Sequence, residues 1–187
     1  MKKNNISNKE WGYIFGLLKG DGYLFHDKKG RHYYLEFYLN SLRDKKVIEF
    51  IKNLLGKMKL RIQEYKDKRF NCIRIRTYSK DLYGLITKDD FTRDDNFKLG
   101  FISGFIDSDG YYSKKNSTLA IINTNLSNLK ETKKFLEDLG IKSSLNKKFM
   151  SPSCKKQAYN LYISVKFISL QHLSKKITYH SGMEQLG

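Results

Sequence analysis

The sequence contains one segment twice, and the second copy follows the first at a spacing of 88 residues. The copies are WGYIFGLLKGDGY at 11–23 and LGFISGFIDSDGY at 99–111. Each ends in Asp-Gly-Tyr, so the repeat supplies one carboxylate at the same place in each half, Asp21 and Asp109. A chain built in this way can form a pseudo-twofold active site with one acid from each copy.

Each copy has the pattern of a buried helix with a ridge of small residues at four-residue steps. Residues four apart lie on the same helix face. Glycine inside a helix costs about 1 kcal/mol relative to alanine, and close backbone packing of two such ridges compensates for that cost. We therefore expect the two helices to pack ridge against ridge and to bring Asp21 and Asp109 side by side. The ridge residues are Gly12, Gly16 and Gly20 in the first copy and Gly100, Gly104 and Ser108 in the second.

Two carboxylates placed side by side repel each other and favour a bound cation. Hard oxygen ligands favour Mg²⁺, and two-metal hydrolysis of phosphodiesters uses clusters of this kind. Three other interpretations fit the repeated segment less well. A single Asp-Gly is more often a hairpin turn, the segment 107–110 lacks the remaining ligands of a calcium loop, and the apolar runs are too short to span a membrane. The repetition of acid and ridge in register favours a functional pair.

The composition favours a polyanionic partner and an intracellular setting. The formal charge is +17, from 36 Lys and Arg against 19 Asp and Glu, which is typical of proteins that bind nucleic acid or an anionic membrane surface. No secretory signal is expected, and Cys72, Cys154 and the histidines lack zinc-ligand spacing. Richness in Lys, Asn, Ile and Tyr suggests an AT-rich genome, so we expect the cytoplasm of a prokaryote or phage host, or an organelle.

The pattern between the motifs predicts strands and helices in the same order in both halves. The spacing between equivalent positions changes from 88 at the motifs to about 84 at Gly56 and Gly140 and then returns to 88. This change predicts a longer loop after the motif in the first half, at 25–32, and a longer hairpin in the second half, at 147–157. In the first half we predict strands at 33–40, 59–65 and 70–78 and helices at 45–55 and 80–86. In the second half we predict strands at 118–124, 141–147 and 158–166 and helices at 127–139 and 167–177.

The segments FGLLKGDG (15–22) and SGFIDSDG (103–110) resemble the two signature helices of a LAGLIDADG homing endonuclease. Two copies in one chain resemble the monomeric, pseudosymmetric members of that family. The resemblance implies an α+β fold of two αββαββα repeats, each with a four-stranded antiparallel sheet, that together form a saddle over DNA. It also implies that Asp21 and Asp109 are the metal-binding acids. Lys19 departs from the family pattern, and we expect it to affect local packing or charge more than metal binding.

The repeats predict an N-terminal domain at 1–88, a linker at 89–97, a C-terminal domain at 98–178 and a tail at 179–187. The linker contains the acidic run DDFTRDD at 89–95. This run is either a metal cluster or a solvated linker that caps the next helix at Thr92 or Asp94. We favour the capping interpretation.

The strands predict one apolar face and one polar face in each half. Arg, Lys, Tyr, Ser, Gln and Asn are the groups that contact base edges and phosphates. Most half-exposed sheets simply turn a polar face to water, but such a face more commonly interleaves Glu with Lys, and these strands carry almost no acid except Glu36. The predicted DNA-binding residues are Tyr34, Glu36, Tyr38, Asn40, Arg61, Gln63, Tyr65, Arg74, Arg76 and Tyr78 in the first half, and Lys142, Asn146, Tyr162, Ser164 and Lys166 in the second.

The resemblance implies a site-specific endonuclease that acts on duplex DNA at an asymmetric target of about two helical turns and leaves 3′ overhangs. The predicted metal site comprises Asp21, Asp109 and the residues before them, Gly20 and Ser108, with Mg²⁺ as the cofactor and Mn²⁺ or Ca²⁺ substituting in binding. Lys80 and Lys166 are predicted as catalytic basic residues from their position at the ends of the fourth strands; the alternative is a phosphate clamp or a helix-start lysine.

Two other functions fit the same scaffold: an intron RNA maturase, with the host intron RNA as partner, and a non-catalytic DNA-binding regulator. Copies that have turned to binding often lose the acids, and this chain retains Asp21 and Asp109, which favours the enzyme. A structural RNA-binding protein would not need paired helix-end aspartates.

Overall fold

The structure is a computed structural model that describes residues 6–30, 32–67, 69–113, 118–149 and 155–164. The order of elements in the first half is helix, two strands, helix, two strands, helix, and the second half repeats that order as far as its fourth strand. The first half contains α1 (Asn8–Gly20), β1 (Gly22–Asp27), β2 (His32–Asn40), α2 (Lys45–Lys57), β3 (Ile62–Asp67), β4 (Cys72–Tyr78) and α3 (Lys80–Lys88). The second contains α4 (Asp95–Asp109), β5 (Gly110–Ser113), β6 (Thr118–Asn123), α5 (Leu126–Asp138), β7 (Ser143–Lys147) and β8 (Tyr159–Ile163).

The strands form two four-stranded antiparallel sheets with equivalent orders, β1-β2-β4-β3 and β5-β6-β8-β7. In the first sheet Gly22 pairs with Phe37, and in the second Gly110 pairs with Ile121. Gly22 and Gly110 are equivalent residues of the repeated motif, so their partners Phe37 and Ile121 are also equivalent. The same register then relates the other residues of the two sheets. The predicted α+β fold with two pseudosymmetric repeats is confirmed.

Helices α1 and α4 pack backbone against backbone along the ridges of small residues. A Cβ atom built on Gly16 would lie 1.9 Å from the Phe101 carbonyl oxygen, and one on Gly100 would lie 1.9 Å from the Lys9 carbonyl oxygen. No side chain larger than hydrogen fits at such a distance, so the glycines set the separation of the two helices. The predicted ridge-against-ridge packing is confirmed.

Both signature helices begin at a side-chain cap. Ser7 and Glu10 form a capping box at α1, in which Glu10 accepts a bond of 2.8 Å from the Ser7 backbone N–H. At α4 the Asp94 carboxylate accepts a bond of 2.8 Å from the Phe97 backbone N–H. This bond confirms the capping interpretation of the acidic run. Because α4 begins at Asp95, it extends into the last residues of the predicted linker 89–97.

The apolar core lies between each sheet and its helices. The inward residues Phe37, Ile75, Leu119 and Leu161 are fully buried, and burial alternates along β4 as the sequence predicts. The segment 25–32 is an exception to the prediction, because β1 continues to Asp27 and β2 starts at His32. Those residues pair with each other across the hairpin, which leaves a shorter turn. The predicted helix at 167–177 lies outside the described residues.

Within the described part of the chain, no helix combines the length and the apolar character needed to cross a bilayer.

Candidate active site and the flanking sheet surface

The two signature acids lie where α1 and α4 end. Asp21 caps α1: its backbone N–H donates to the Leu17 carbonyl over 3.1 Å, and its own carbonyl accepts from the Tyr38 N–H over 2.9 Å. Asp109 is the last residue of α4. A Cβ atom on Gly20 would lie 3.0 Å from Asp109 Cγ, so the end of α1 touches the Asp109 side chain. The packing of the ridges therefore brings the two acid-bearing helix ends together.

Asp109 is held by an asparagine that the sequence pattern did not select. Asn123, the last residue of β6, donates from Nδ2 to Asp109 Oδ2 over 2.5 Å, and its Oδ1 accepts from the Asn125 backbone N–H over 2.6 Å. In the first sheet the register places Leu39 at the equivalent position, and Leu39 is buried. The sequence signal that could have identified Asn123 is its place on the inward face of β6, where the other inward residues, Leu119 and Ile121, are apolar.

The two helix-end acids fit a magnesium ion. Mg²⁺ is commonly held by one or two carboxylates and keeps the rest of its shell as water and substrate phosphate. Among the residues that the structure describes, no cluster of three or more His, Cys, Asp or Glu side chains is placed to hold a metal. The Ser108 hydroxyl donates to the Phe105 carbonyl over 3.0 Å, so the side-chain oxygen of this predicted site residue is engaged within its own helix.

Lys19 and Asp107 occupy the same position of the two motif copies, and each contacts another residue near the site. Asp107 is fully buried and accepts a hydrogen bond of 2.7 Å from the Tyr13 hydroxyl. Burial, together with the Asp107 carboxylate, raises the pKa of Tyr13 well above its usual range. Lys19 lies 3.7 Å from Glu131 of α5. The departure from the family pattern at Lys19 thus places a local ion pair on α1.

Lys80 does not lie beside Asp21, and its prediction as a catalytic base is corrected. Asp21 bonds to Tyr38 at one end of β2, whereas Lys80 follows β4, whose last residue Tyr78 pairs with Tyr34. Four residues of strand separate Tyr34 from Tyr38, which is about 13 Å. Lys80 is the first residue of α3, so the helix-start alternative describes it. Lys166 lies outside the described residues.

The outward face of the first sheet carries aromatic and arginine side chains. Tyr38, Tyr65 and Tyr78 are exposed. Gln63 accepts a hydrogen bond of 2.6 Å from the Tyr65 hydroxyl. Asn40 instead caps the turn after β2, because its Oδ1 accepts from two backbone N–H groups. Arg61 lies directly before β3 and is exposed, and its backbone carbonyl accepts a hydrogen bond of 3.0 Å from the Thr77 hydroxyl.

The outward face of the second sheet is composed of smaller polar groups. Lys142, Tyr162 and Ser164 line a shallow cavity of about 340 Å³, and Ser143 and Ser144 complete much of its wall. Asn146 lies on the same strand as the two serines and is exposed. The two sheets therefore offer different chemistry on equivalent surfaces.

Among the predicted surface residues that the structure describes, Glu36 is the one whose side chain is removed from solvent. It is fully buried on the outward side of the first sheet. Arg76 Nε donates to Glu36 Oε2, and this hydrogen bond raises the pKa of Arg76. A hydrogen bond to Glu36 likewise raises the pKa of Tyr38. The predicted direct contact of Glu36 with DNA is corrected to a contact with its arginine neighbours.

The chain has two pseudosymmetric repeats whose signature helices each end in an acid, which is the arrangement that the LAGLIDADG resemblance implies. The family model described as a LAGLIDADG-like domain matches residues 96–177, which is the second repeat, and the resemblance stated from the sequence is confirmed.

Similar proteins cover most of the chain. The homing endonuclease I-DmoI, in its structure in complex with DNA and Ca, has 22% identity and a TM-score of 0.68, and the match covers 95% of this chain and 98% of that one. The N-terminal LAGLIDADG domain of DUF199/WhiA has 20% identity and a TM-score of 0.61, with 89% of this chain and 82% of that one covered. At these identities the likeness establishes the fold.

An uncharacterized protein of Methanocaldococcus jannaschii is 29% identical over 146 residues, which is 73% of this chain. The match spans about half of that relative's length, 51%.

Proposed function

We propose that this protein is a divalent-metal-dependent endonuclease that cuts duplex DNA at a specific site. The observation that carries the proposal is the meeting of two acid-bearing helix ends, Asp21 and Asp109, at the contact of α1 with α4. A protein of the same fold, I-DmoI, is a homing endonuclease seen in complex with DNA and Ca and with DNA and Mn.

The chain's own residues divide the work between binding and chemistry. The formal charge of +17 favours association with a polyanion. The outward sheet faces carry arginine, tyrosine and amide groups, which are groups that can contact base edges in a DNA groove. Asp21 and Asp109 would hold the cation, and the Asn123 amide orients the Asp109 carboxylate. A bound divalent ion supplies Lewis-acid activation of the phosphodiester and offsets charge on the leaving oxygen.

The remaining features of the proposal follow from the pseudosymmetric arrangement. One chain carries both acids, so we propose that the protein acts as a monomer. The two sheets differ in their surface chemistry, so we propose a long asymmetric target. From the LAGLIDADG resemblance we also propose that cleavage leaves 3′ overhangs. We also propose that it works inside a cell or organelle, where DNA and Mg²⁺ are both present.

A second candidate is DNA binding without cleavage on the same scaffold. It is favoured by the likeness to the N-terminal LAGLIDADG domain of DUF199/WhiA, a protein of the same fold whose description names no nuclease activity. The two candidates share the sheet surfaces and differ at the helix-end acids.

The test is cleavage of a randomised duplex library, with sequencing of the cut ends, in Mg²⁺ and after chelation. The parent is compared with the double variant Asp21→Asn/Asp109→Asn. Asp95→Asn is a matched control, because Asp95 is an exposed acid in the first turn of α4. Discrete cuts by the parent and Asp95→Asn, lost with chelator and in the double variant, support the nuclease. Binding of one sequence by all three proteins without cuts supports the second candidate instead.

A further inference from the structure

Arginine is confined to the first part of this chain. No arginine follows Arg93 in the sequence, so the second sheet carries none. Two of the arginines, Arg74 and Arg76, lie on the outward side of β4. This strand is an inner strand of the first sheet, between β2 and β3. Side chains on an inner strand occupy the middle of the surface, away from its edges.

Arg76 is committed to other protein groups. The strand register places it between Glu36 and Gln63. Its Nε donates to Glu36, and its Nη1 lies 3.1 Å from the Tyr78 hydroxyl. Its guanidinium also lies 4.4 Å from the ring centroid of Tyr34. Only 20% of the Arg76 side chain is exposed, so little of its donor capacity faces outward.

Arg74 has the opposite surroundings. The register places it between Tyr38 and Tyr65, and its guanidinium lies 5.5 Å from the Tyr65 ring centroid. Its Nη1 is 3.9 Å from Glu36 Oε1, close enough for attraction and too long for a hydrogen bond. The side chain is 41% exposed. Arg74 is therefore oriented from below while part of its guanidinium faces outward.

We infer that Arg74 reads a guanine in the major groove of the DNA half-site bound by the first sheet, with Glu36 and Arg76 as positioning residues. This inference rests on the proposed binding of duplex DNA. A guanidinium carries only donors, and guanine presents two acceptors, N7 and O6, in the major groove. Adenine replaces one of these with an amino donor, which a guanidinium cannot satisfy.

The buried carboxylate explains why this arginine discriminates between bases. Glu36 is 0% exposed, so it cannot itself meet a ligand, and its negative charge opposes DNA binding in general. Glu36 holds Arg76 beside Arg74 on the outward side of β4 and attracts the Arg74 guanidinium over 3.9 Å, and under the proposed binding these two contacts restrain Arg74. A fixed fork selects guanine, whereas a mobile arginine can also turn to a phosphate.

The second sheet has different residues at these positions. The registers place Ala120 at the position of Glu36, Asn160 at that of Arg74 and Tyr162 at that of Arg76. The Asn160 Nδ2 lies 3.1 Å from the Tyr162 hydroxyl. An amide has both donor and acceptor, so the arginine type of guanine readout belongs to one half of the target. Tyr38 bonds to the Asp21 backbone and pairs with Arg74 across the sheet. We therefore place the guanine in the part of that half-site nearest the helix-end acids.

The test is selection of bound sequences from a randomised duplex library in Ca²⁺, which requires no cleavage. The proteins are the parent, Arg74→Gln, Glu36→Gln and the control Arg69→Gln. Arg69 lies in the β3–β4 turn, is 80% exposed and pairs with Asp67. Its variant therefore loses the same charge at a place away from Arg74 and Glu36. We expect Arg74→Gln to reduce the preference for guanine at one position by about tenfold to a hundredfold. Arg69→Gln should keep that preference and lower affinity evenly.

Glu36→Gln separates positioning from general destabilisation. We expect it to broaden the selected base at the same position as Arg74→Gln, while affinity for non-specific DNA stays equal or rises, because a negative charge is lost. Thermal melting of the variant in the absence of DNA gives the control for folding. Broadening at every position together with a lowered melting temperature would show a purely structural role and overturn the assignment of Glu36.

The outcomes distinguish this inference from the proposed function. A parent consensus that the Arg74 substitution leaves unchanged overturns the inference and leaves site-specific cleavage standing. A guanine preference lost in Arg74→Gln supports the inference even if the parent never cuts, in which case the nuclease proposal fails. Absence of any selected sequence with the parent overturns both.

Discussion

At the scale of single residues, the two acids of the site are not equivalent. Asp109 accepts a hydrogen bond from Asn123 over 2.5 Å, and the equivalent position in the first sheet is Leu39, which has no donor. A charge-assisted hydrogen bond restrains a carboxylate, and a leucine side chain cannot donate one. The pseudosymmetry of the chain thus ends at these two positions, so under the proposed function we expect the two strands to be cut at different rates.

Replacement of Asn123 by the residue found at the equivalent position tests this difference. We expect Asn123→Leu to slow the cut that depends on Asp109 by about tenfold to a thousandfold, in the range seen when a group that orients a catalytic site is removed. The other cut should be less affected, so nicked duplex accumulates. A gel assay with each strand labelled separately measures both rates. Equal slowing of both strands, at unchanged thermal stability, would contradict the assignment.

At the scale of elements, the contact of α1 with α4 depends on glycines that the two backbones leave no room to replace. A Cβ atom on Gly16 would lie 1.9 Å from the Phe101 carbonyl oxygen, whereas one on Gly56 of α2 or Gly84 of α3 would meet nothing within 4 Å. Each of these glycines lies within a helix and has a lower helix propensity than alanine, whereas the packing around them differs.

This contrast gives two substitutions with opposite sign. Gly16→Ala should destabilise the protein by about 2 kcal/mol or more, because overpacking forces the helices apart. Gly56→Ala should stabilise it by about 0.5–1 kcal/mol, because alanine is the better helix former. Urea unfolding followed by circular dichroism measures both. A stabilised Gly16→Ala protein would mean that the helices do not approach as described.

The cap of α4 makes helix stability depend on pH. Hydrogen bonds from Asn8, and then from the Phe97 N–H, lower the pKa of Asp94 from its ordinary value of 3.8. A carboxyl whose folded-state pKa is lowered stabilises the fold fully above its unfolded value and loses that contribution as the pH falls through the folded one. Asp94→Ala should therefore be less stable than the parent at pH 7, with the difference shrinking below about pH 3.8. A difference that persists unchanged in acid would assign the effect to packing.

At the scale of the whole molecule, two sheets with the same topology present unlike surfaces. The first carries arginines and several tyrosines around a buried glutamate, and the second carries asparagine, serine and a tyrosine. Under the proposed function, the positive charge would favour DNA binding as a whole, and the difference between the sheets would determine how the DNA is oriented on the protein. This combination is typical of recognition of an asymmetric sequence by a pseudosymmetric fold.

Symmetrised targets test the division of labour between the sheets. Once a target is selected, each of its halves can be duplicated to give two palindromes. We expect both palindromes to bind more weakly than the parent target by about tenfold or more, because one sheet then faces bases that its side chains do not match. Fluorescence anisotropy at a fixed salt concentration measures the three affinities. Equal binding of all three duplexes would show that the sheets do not discriminate.

The sequence alone determined the repeated architecture, the glycine ridges and the identity of the two acids. These features are set by local periodicity: a four-residue step of glycine and an acid at a fixed place in each copy are visible without knowledge of the partners. The alternation along β4 and the cap at Asp94 are local in the same sense, and the structure confirms both.

Only the tertiary structure decided which residues surround those acids. Asn123 lies 14 residues after Asp109 and reaches it through the pairing of β5 with β6. Glu36 is buried where the pairing of β2 with β4 places arginine beside it, and Lys80 lies at the far end of β2 from Asp21. In each case the neighbours of a residue are set by the register between paired strands. Register depends on how the faces of both paired strands pack and on the turns that join them, and the pattern of one strand alone does not determine it.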